Sequence, residues 1–204
     1  MRVVWVRLAA AVGLGLLAVI AVADDLSGPV SFVPWKVLMP GDAPARAPLT
    51  LFWIPASSDD FKHSELLFSR SLTSFATQCV ALHVIRADDA AMIDKLGVAG
   101  ALPVAVLVGG DGKQLGKVIN ERGSLRVSAV ERLVRDQLRT RGSDLDSQLD
   151  EARRKALAGD REAAVATYKL VWEQRCVAPR KGREAQRELK KLGIVAEETV
   201  AVRH

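Results

Sequence analysis

The stretch Pro48 to Lys62, PLTLFWIPASSDDFK, constrains this chain more than any other. Leu49 to Ile54 is a short apolar run rich in β-formers, closed by Pro55. Ser57, Ser58, Asp59 and Asp60 then offer side-chain oxygens to the first N–H groups of a helix. The pattern is a strand that runs straight into a helix start. Such a junction places exposed backbone N–H groups and the positive end of a helix dipole at the carboxyl edge of a sheet, where α/β proteins commonly put their chemistry.

The chain on either side supplies the rest of an α/β layer. Phe32 to Leu38 reads as a first strand or edge segment, and Pro34 argues against a central place for it. Phe61 to Gln78 reads as one helix, with Phe61, Leu66, Leu67, Phe68, Leu72 and Phe75 largely on one face. Val80 to Ile85 is a strand, and Asp88 to Leu96 is a short helix that Gly97 can end. Leu102 to Val108 is a near-continuous apolar run, as expected for a strand covered on both faces. Asp111-Gly112 signals a hairpin turn into a strand over Gln114 to Ile119. Ser124 is expected to cap a closing helix through Leu125, Val127, Val130, Leu133, Val134 and Leu138. From Leu49 onward the order is βαβαββα.

Two anchors in this order resemble the thioredoxin superfamily. The first is the LFW strand followed by a helix start; where the family carries Cys-x-x-Cys, this chain has Ala56-Ser57-Ser58-Asp59-Asp60-Phe61. The second is Gly97-Val98-Ala99-Gly100-Ala101-Leu102-Pro103, running into Val104 to Val108 and then Gly109-Gly110-Asp111-Gly112-Lys113. It is similar to the family segment in which a cis-proline opens an inner strand, and Pro103 is the matching proline. The resemblance runs from about Val30 to Leu138. It implies a thioredoxin-like fold, a central mixed sheet flanked by helices. It also implies a backbone beside Pro103 that pairs with extended peptides, through Ala101 and Leu102. Without the cysteines the family's dithiol exchange is lost. The expected surface is therefore a peptide- or protein-binding one, formed by Ser57, Ser58, Asp59, Asp60, Phe61, Ala101, Leu102 and Pro103.

Beyond Gly142-Ser143, read as a break, the pattern becomes purely helical. Leu149 to Ala158 is a helix, Gly159-Asp160 a turn, and Arg161 to Arg175 a second helix packing through Ala164, Val165, Tyr168, Val171 and Trp172. A third helix is expected after Pro179, from about Gly182 to Leu192. The run from Gly159 to Tyr168 resembles the turn and second helix of a tetratricopeptide repeat. A single such unit cannot bury its own apolar face, so these helices are expected to pack on the α/β domain or on a partner.

The first 23 residues carry Arg2 and Arg7, an uncharged apolar run and Ala21-Val22-Ala23. These are the three parts of an export signal, the alternative being an uncleaved membrane anchor. The expected division is thus 1–23 as signal peptide or anchor, 24–47 as an edge segment, 48–142 as the thioredoxin-like domain and 143–204 as a small all-α domain. The formal charge of +5 is a property of the tail, since residues 151–204 hold 13 Lys/Arg against 8 Asp/Glu. No aromatics interleave with that charge, which argues against nucleic acid.

Cys79 and Cys176 are the only cysteines. In an oxidising compartment an even pair suggests a disulfide stapling the helices to the main domain, and two unpaired thiols are the alternative. Asp59, Asp60, His63 and Glu65 match no closed tetrahedral spacing, so neither metal nor cofactor is expected. The reading is an exported, redox-inactive binding or scaffold module. Its alternatives are a divergent thiol-disulfide oxidoreductase using Cys79 and Cys176, and an assembly factor that holds a partner through its C-terminal helices.

Overall fold

A computed structural model describes residues 31–43, 47–120 and 123–195. The expected export segment lies outside them. No helix among the described residues is long and apolar enough to cross a membrane.

The sheet has five strands: β1 (Lys36–Leu38), β2 (Leu49–Ile54), β3 (Val80–Val84), β4 (Val104–Gly109) and β5 (Gln114–Ile119), in the order β1-β3-β2-β4-β5. β1, β3 and β2 run parallel, β4 is antiparallel to β2, and β5 is antiparallel to β4. β2 is central because its apolar alternation serves two cores. Leu49, Leu51 and Trp53 face one core with Leu82, Val84 and Leu107, while Phe52 and Ile54 join Val104, Val106 and Val108 in the other. The second face is covered by α4 (Ala90–Leu96), which Asp89 caps by accepting from the Met92 N–H and Gly97 ends at φ +61°.

The first face is covered differently from expectation. Instead of one helix over Phe61 to Gln78, the chain forms α1 (Ser58–His63), α2 (Glu65–Phe68), a 3-10 turn (Arg70–Leu72) and α3 (Thr73–Ala76). Ser64 and Ser69 break it, both with extended backbone (ψ 131° and 120°), and Ser64 Oγ accepts the Leu66 N–H at 3.3 Å. Serine competes for backbone partners in this way and favours caps over helix interiors. The apolar residues still reach the core: Phe61, Leu66, Leu67, Leu72 and Phe75 are all buried.

α5 corrects two further expectations. It spans Val127–Leu157 and runs unbroken through Gly142-Ser143, and its N-cap is Arg126 rather than Ser124. Val127, Val130, Val134 and Leu138 pack against the sheet, while Leu145, Leu149 and Ala152 belong to a separate helical core. Burial at both ends outweighs the roughly 1 kcal/mol that glycine costs inside a helix. The change of core falls around Gly142 without a change of element.

The helical core is completed by α6 (Arg161–Glu173) and α7 (Pro179–Lys191). Asp160 caps α6 by accepting the Ala163 N–H, and Pro179 occupies the first turn of α7, where its missing N–H goes unneeded. Ala164, Tyr168, Val171, Trp172, Ala185 and Leu189 close on the second half of α5, so the helices bury most of their apolar face on one another. The link back to the sheet domain is the α6–α7 corner, where Val177 is buried in the main core and Cys176 packs beside it.

That corner depends on Gly182. A Cβ there would lie 2.3 Å from Arg175 Cβ and 2.8 Å from its Cα. Gly182→Ala should therefore destabilise the chain by about 1–2 kcal/mol, because backbone overpacking exceeds the gain in helix propensity. Urea denaturation checks this, and an unchanged or raised midpoint would mean that α7 does not seat against Arg175.

Candidate functional site

Among the described residues two places bring chemistry-bearing groups together, the carboxyl edge of the sheet and the α6–α7 corner. At the edge, the β2–β4 register pairs Ile54 with Val104, so the chain leaving β2 at Pro55 and the chain entering β4 at Pro103 lie side by side. The Leu102–Pro103 peptide bond is cis.

The β2–α1 turn is held by a reciprocal pair of caps. Ser57 Oγ accepts the Asp60 N–H at 3.1 Å, and Asp60 Oδ2 accepts the Ala56 N–H at 2.9 Å. Ser57 and Asp59 are exposed, while Ser58 and Asp60 are half-buried. Phe61 is in the core, its ring centroid 5.5 Å from that of Trp53, and so anchors the turn from below rather than lining a surface. Pro103 is likewise buried. Of the expected surface, Ser57 to Asp60 with Ala101 and Leu102 are within reach of a ligand.

Leu102 has a divided backbone. Its carbonyl accepts from Asn120 Nδ2 at 2.6 Å, and Asn120 Oδ1 in turn accepts the Gly123 N–H at 2.6 Å. Its N–H has no partner among the described residues. Asn120 carries no sequence signal beyond its position just after β5. Beside the turn is a cleft of about 170 Å³ at the ends of β2 and β3, lined by Pro55, Ala56, Ser57, Ile85, Arg86 and Asp88. Arg86 donates to both Asp88 oxygens at 2.8 and 2.9 Å and holds that carboxyl below its usual range.

The two described histidines, His63 and His83, do not join this site. His63 is exposed on α1 against Asp59, with its Nδ1 3.2 Å from the carboxylate. His83 is buried in β3 with its ring 5.2 Å from Phe52, and burial lowers its pKa while Asp42 opposes the shift.

At the corner, Cys79 and Cys176 stand next to each other as free thiols, although 97 positions separate them in sequence. Cys79 follows α3 with φ +61°, the left-handed region that residues other than glycine rarely occupy. Both thiols are half-buried. Hydrogen bonding from Cys176 lowers the Cys79 pKa to about 7, helped by the Arg175 charge and opposed by burial. Cys176 shifts the other way, upward, because it supplies that hydrogen bond and is itself desolvated. Arg175 is fixed over the Trp172 ring, 4.4 Å from its centroid, and donates to the Trp172 carbonyl at 3.3 Å.

No protein-family model matches the chain, and no curated protein matches it in sequence.

Proposed function

We propose that this is an exported, thioredoxin-like module without the family's dithiol chemistry, which binds an extended peptide or protein segment along the carboxyl edge of its sheet. The observation that carries the reading is Leu102: half-exposed, with an N–H that has no partner among the described residues, and set beside the Ala56–Asp60 turn and its cleft. A backbone donor left open at a sheet edge is what an added strand takes up first. The Asn120 hydrogen bond to the Leu102 carbonyl makes the edge one-sided, so an incoming chain accepts from Leu102 and finds its remaining partners along Ala56 to Asp60. The strand order β1-β3-β2-β4-β5, the cis bond at Pro103 and the helix start after β2 support the thioredoxin-like assignment.

Amide hydrogen exchange on the full chain tests the binding reading. Peptides selected from an extended random library should slow exchange at Leu102 and across Ala56 to Asp60 by at least about tenfold, the protection expected of an amide drawn into a strand ladder. Tight binders that leave Leu102 unprotected would refute it.

A second reading, a thiol-disulfide oxidoreductase, is favoured by the lowered pKa of Cys79 beside Cys176. Repeated reduction of insulin disulfides by the full chain, with dithiothreitol as electron source, supports it. A rate equal to dithiothreitol alone removes it.

A further inference from the structure

The corner thiols carry an inference independent of the peptide-binding reading. We infer that Cys79 and Cys176 close into a reversible intrachain disulfide, formed by exchange with a small-molecule disulfide, that clasps the α6–α7 corner to the start of β3.

Four observations converge on this pair. The two side chains already meet, one from each of the two packed units, and both are half-buried, so an oxidant can reach them. Cys79 holds a left-handed backbone where glycine is usual, and a residue kept in that region against its preference points to a role for its side chain. Cys176 is held in place by its neighbours, with Val177 sunk in the main core and Arg175 pinned on Trp172. An open groove of about 430 Å³ is lined by Gln78 and Val177, the chain neighbours of the two cysteines, and by the exposed Arg180 and Arg183, and its positive rim suits an anionic disulfide such as oxidised glutathione.

The two thiols have different parts. Cys79 is the attacking sulfur: Cys176 lies beside it and, together with the charge of Arg175, favours its thiolate. It attacks one sulfur of oxidised glutathione, the glutathione S–S bond breaks, and one glutathione thiolate leaves and takes up a proton. Cys176 then gives its proton to solvent and attacks the Cys79 sulfur of the mixed disulfide, and the second glutathione leaves. Two protein thiols are oxidised by two electrons to one disulfide, and one oxidised glutathione is reduced to two glutathione molecules.

The experiment uses the full chain, reduced, desalted and mixed with oxidised glutathione. Samples are quenched in acid over time and read by intact mass and by a non-reducing peptide map. The expected course is a transient single glutathione adduct on Cys79, then a chain lacking two hydrogens in which the Cys79 and Cys176 peptides are joined. Iodoacetamide labelling of the reduced chain should modify Cys79 at least about tenfold faster than Cys176 at neutral pH and reach half its maximal rate near pH 7. Cys176→Ser should stop at a stable adduct on Cys79 and move the labelling midpoint upward. The wild-type time course gives the order of attack even if that variant folds poorly. Two glutathiones on one chain, two thiols that persist in excess oxidant, a first adduct on Cys176, or a disulfide between chains would each overturn the proposal.

Discussion

Trp53→Ala should unfold this protein more readily than any other single side-chain truncation in the sheet domain, with a loss of about 3–5 kcal/mol. Trp53 is fully buried in the central strand, between β3 and β4, with Phe61 against its ring. Its removal leaves a large cavity under the β2–α1 turn and takes away the partner that anchors α1. Trp53→Phe should cost far less than its lost volume suggests. The indole N–H is buried without an acceptor among the described residues, and removing an unsatisfied donor recovers part of the roughly 1–3 kcal/mol penalty it carries. Urea denaturation followed by far-UV circular dichroism separates the two variants. A Trp53→Ala loss below about 1 kcal/mol would mean that the ring is not packed as described.

The second large effect is redox-dependent. A Cys79–Cys176 bond closes a loop of about 97 residues, for which chain entropy allows up to ~4.7 kcal/mol, and native disulfides typically contribute about 2–4 kcal/mol. The oxidised chain should therefore unfold at a clearly higher urea concentration than the reduced one. The difference should vanish on adding reductant and be absent from a variant with both cysteines changed to serine. Equal midpoints for the oxidised and reduced chain would mean that the bond strains the corner as much as it restrains the unfolded chain.

The parts of this fold that could be read from the sequence were those set by local patterns. The run Leu49 to Ile54, the cap at Ser57, the left-handed stop at Gly97 and the apolar strand leading to Gly109 each follow from a few adjacent residues, and the structure has each of them, the last strand beginning at Val104 rather than Leu102 and ending at Gly109 rather than Val108. The misreadings arose where a local signal met a distant constraint. Gly142-Ser143 looks like a break, yet Leu138 is buried on one side of it and Leu145 on the other, and the helix is held from both ends. Ser64 and Ser69 look like ordinary helix-surface positions until the extended backbone of both, and the side chain of Ser64, are seen to end one short helix and begin the next. At the candidate site, the Ala101–Pro103 segment could be read from the sequence, but the Asn120 hydrogen bond to Leu102 could not, since it joins residues 18 positions apart through a single side chain. The cysteine pair was visible as a count. Its setting, with Arg175 beside it and Gly182 packed on Arg175, depends on how α7 folds back.

The unbroken α5 gives the molecule a mechanical character. Thirty-one residues make a rod of roughly 46 Å, with the sheet clamped to one half and α6 and α7 to the other. A rod gripped at two places passes any tilt of one load to the other. The corner at Cys176 is a second strut between the same two loads. With Val177 seated in the core of the sheet domain, the assembly is a braced frame, in which a push on the helices is felt at the start of β3.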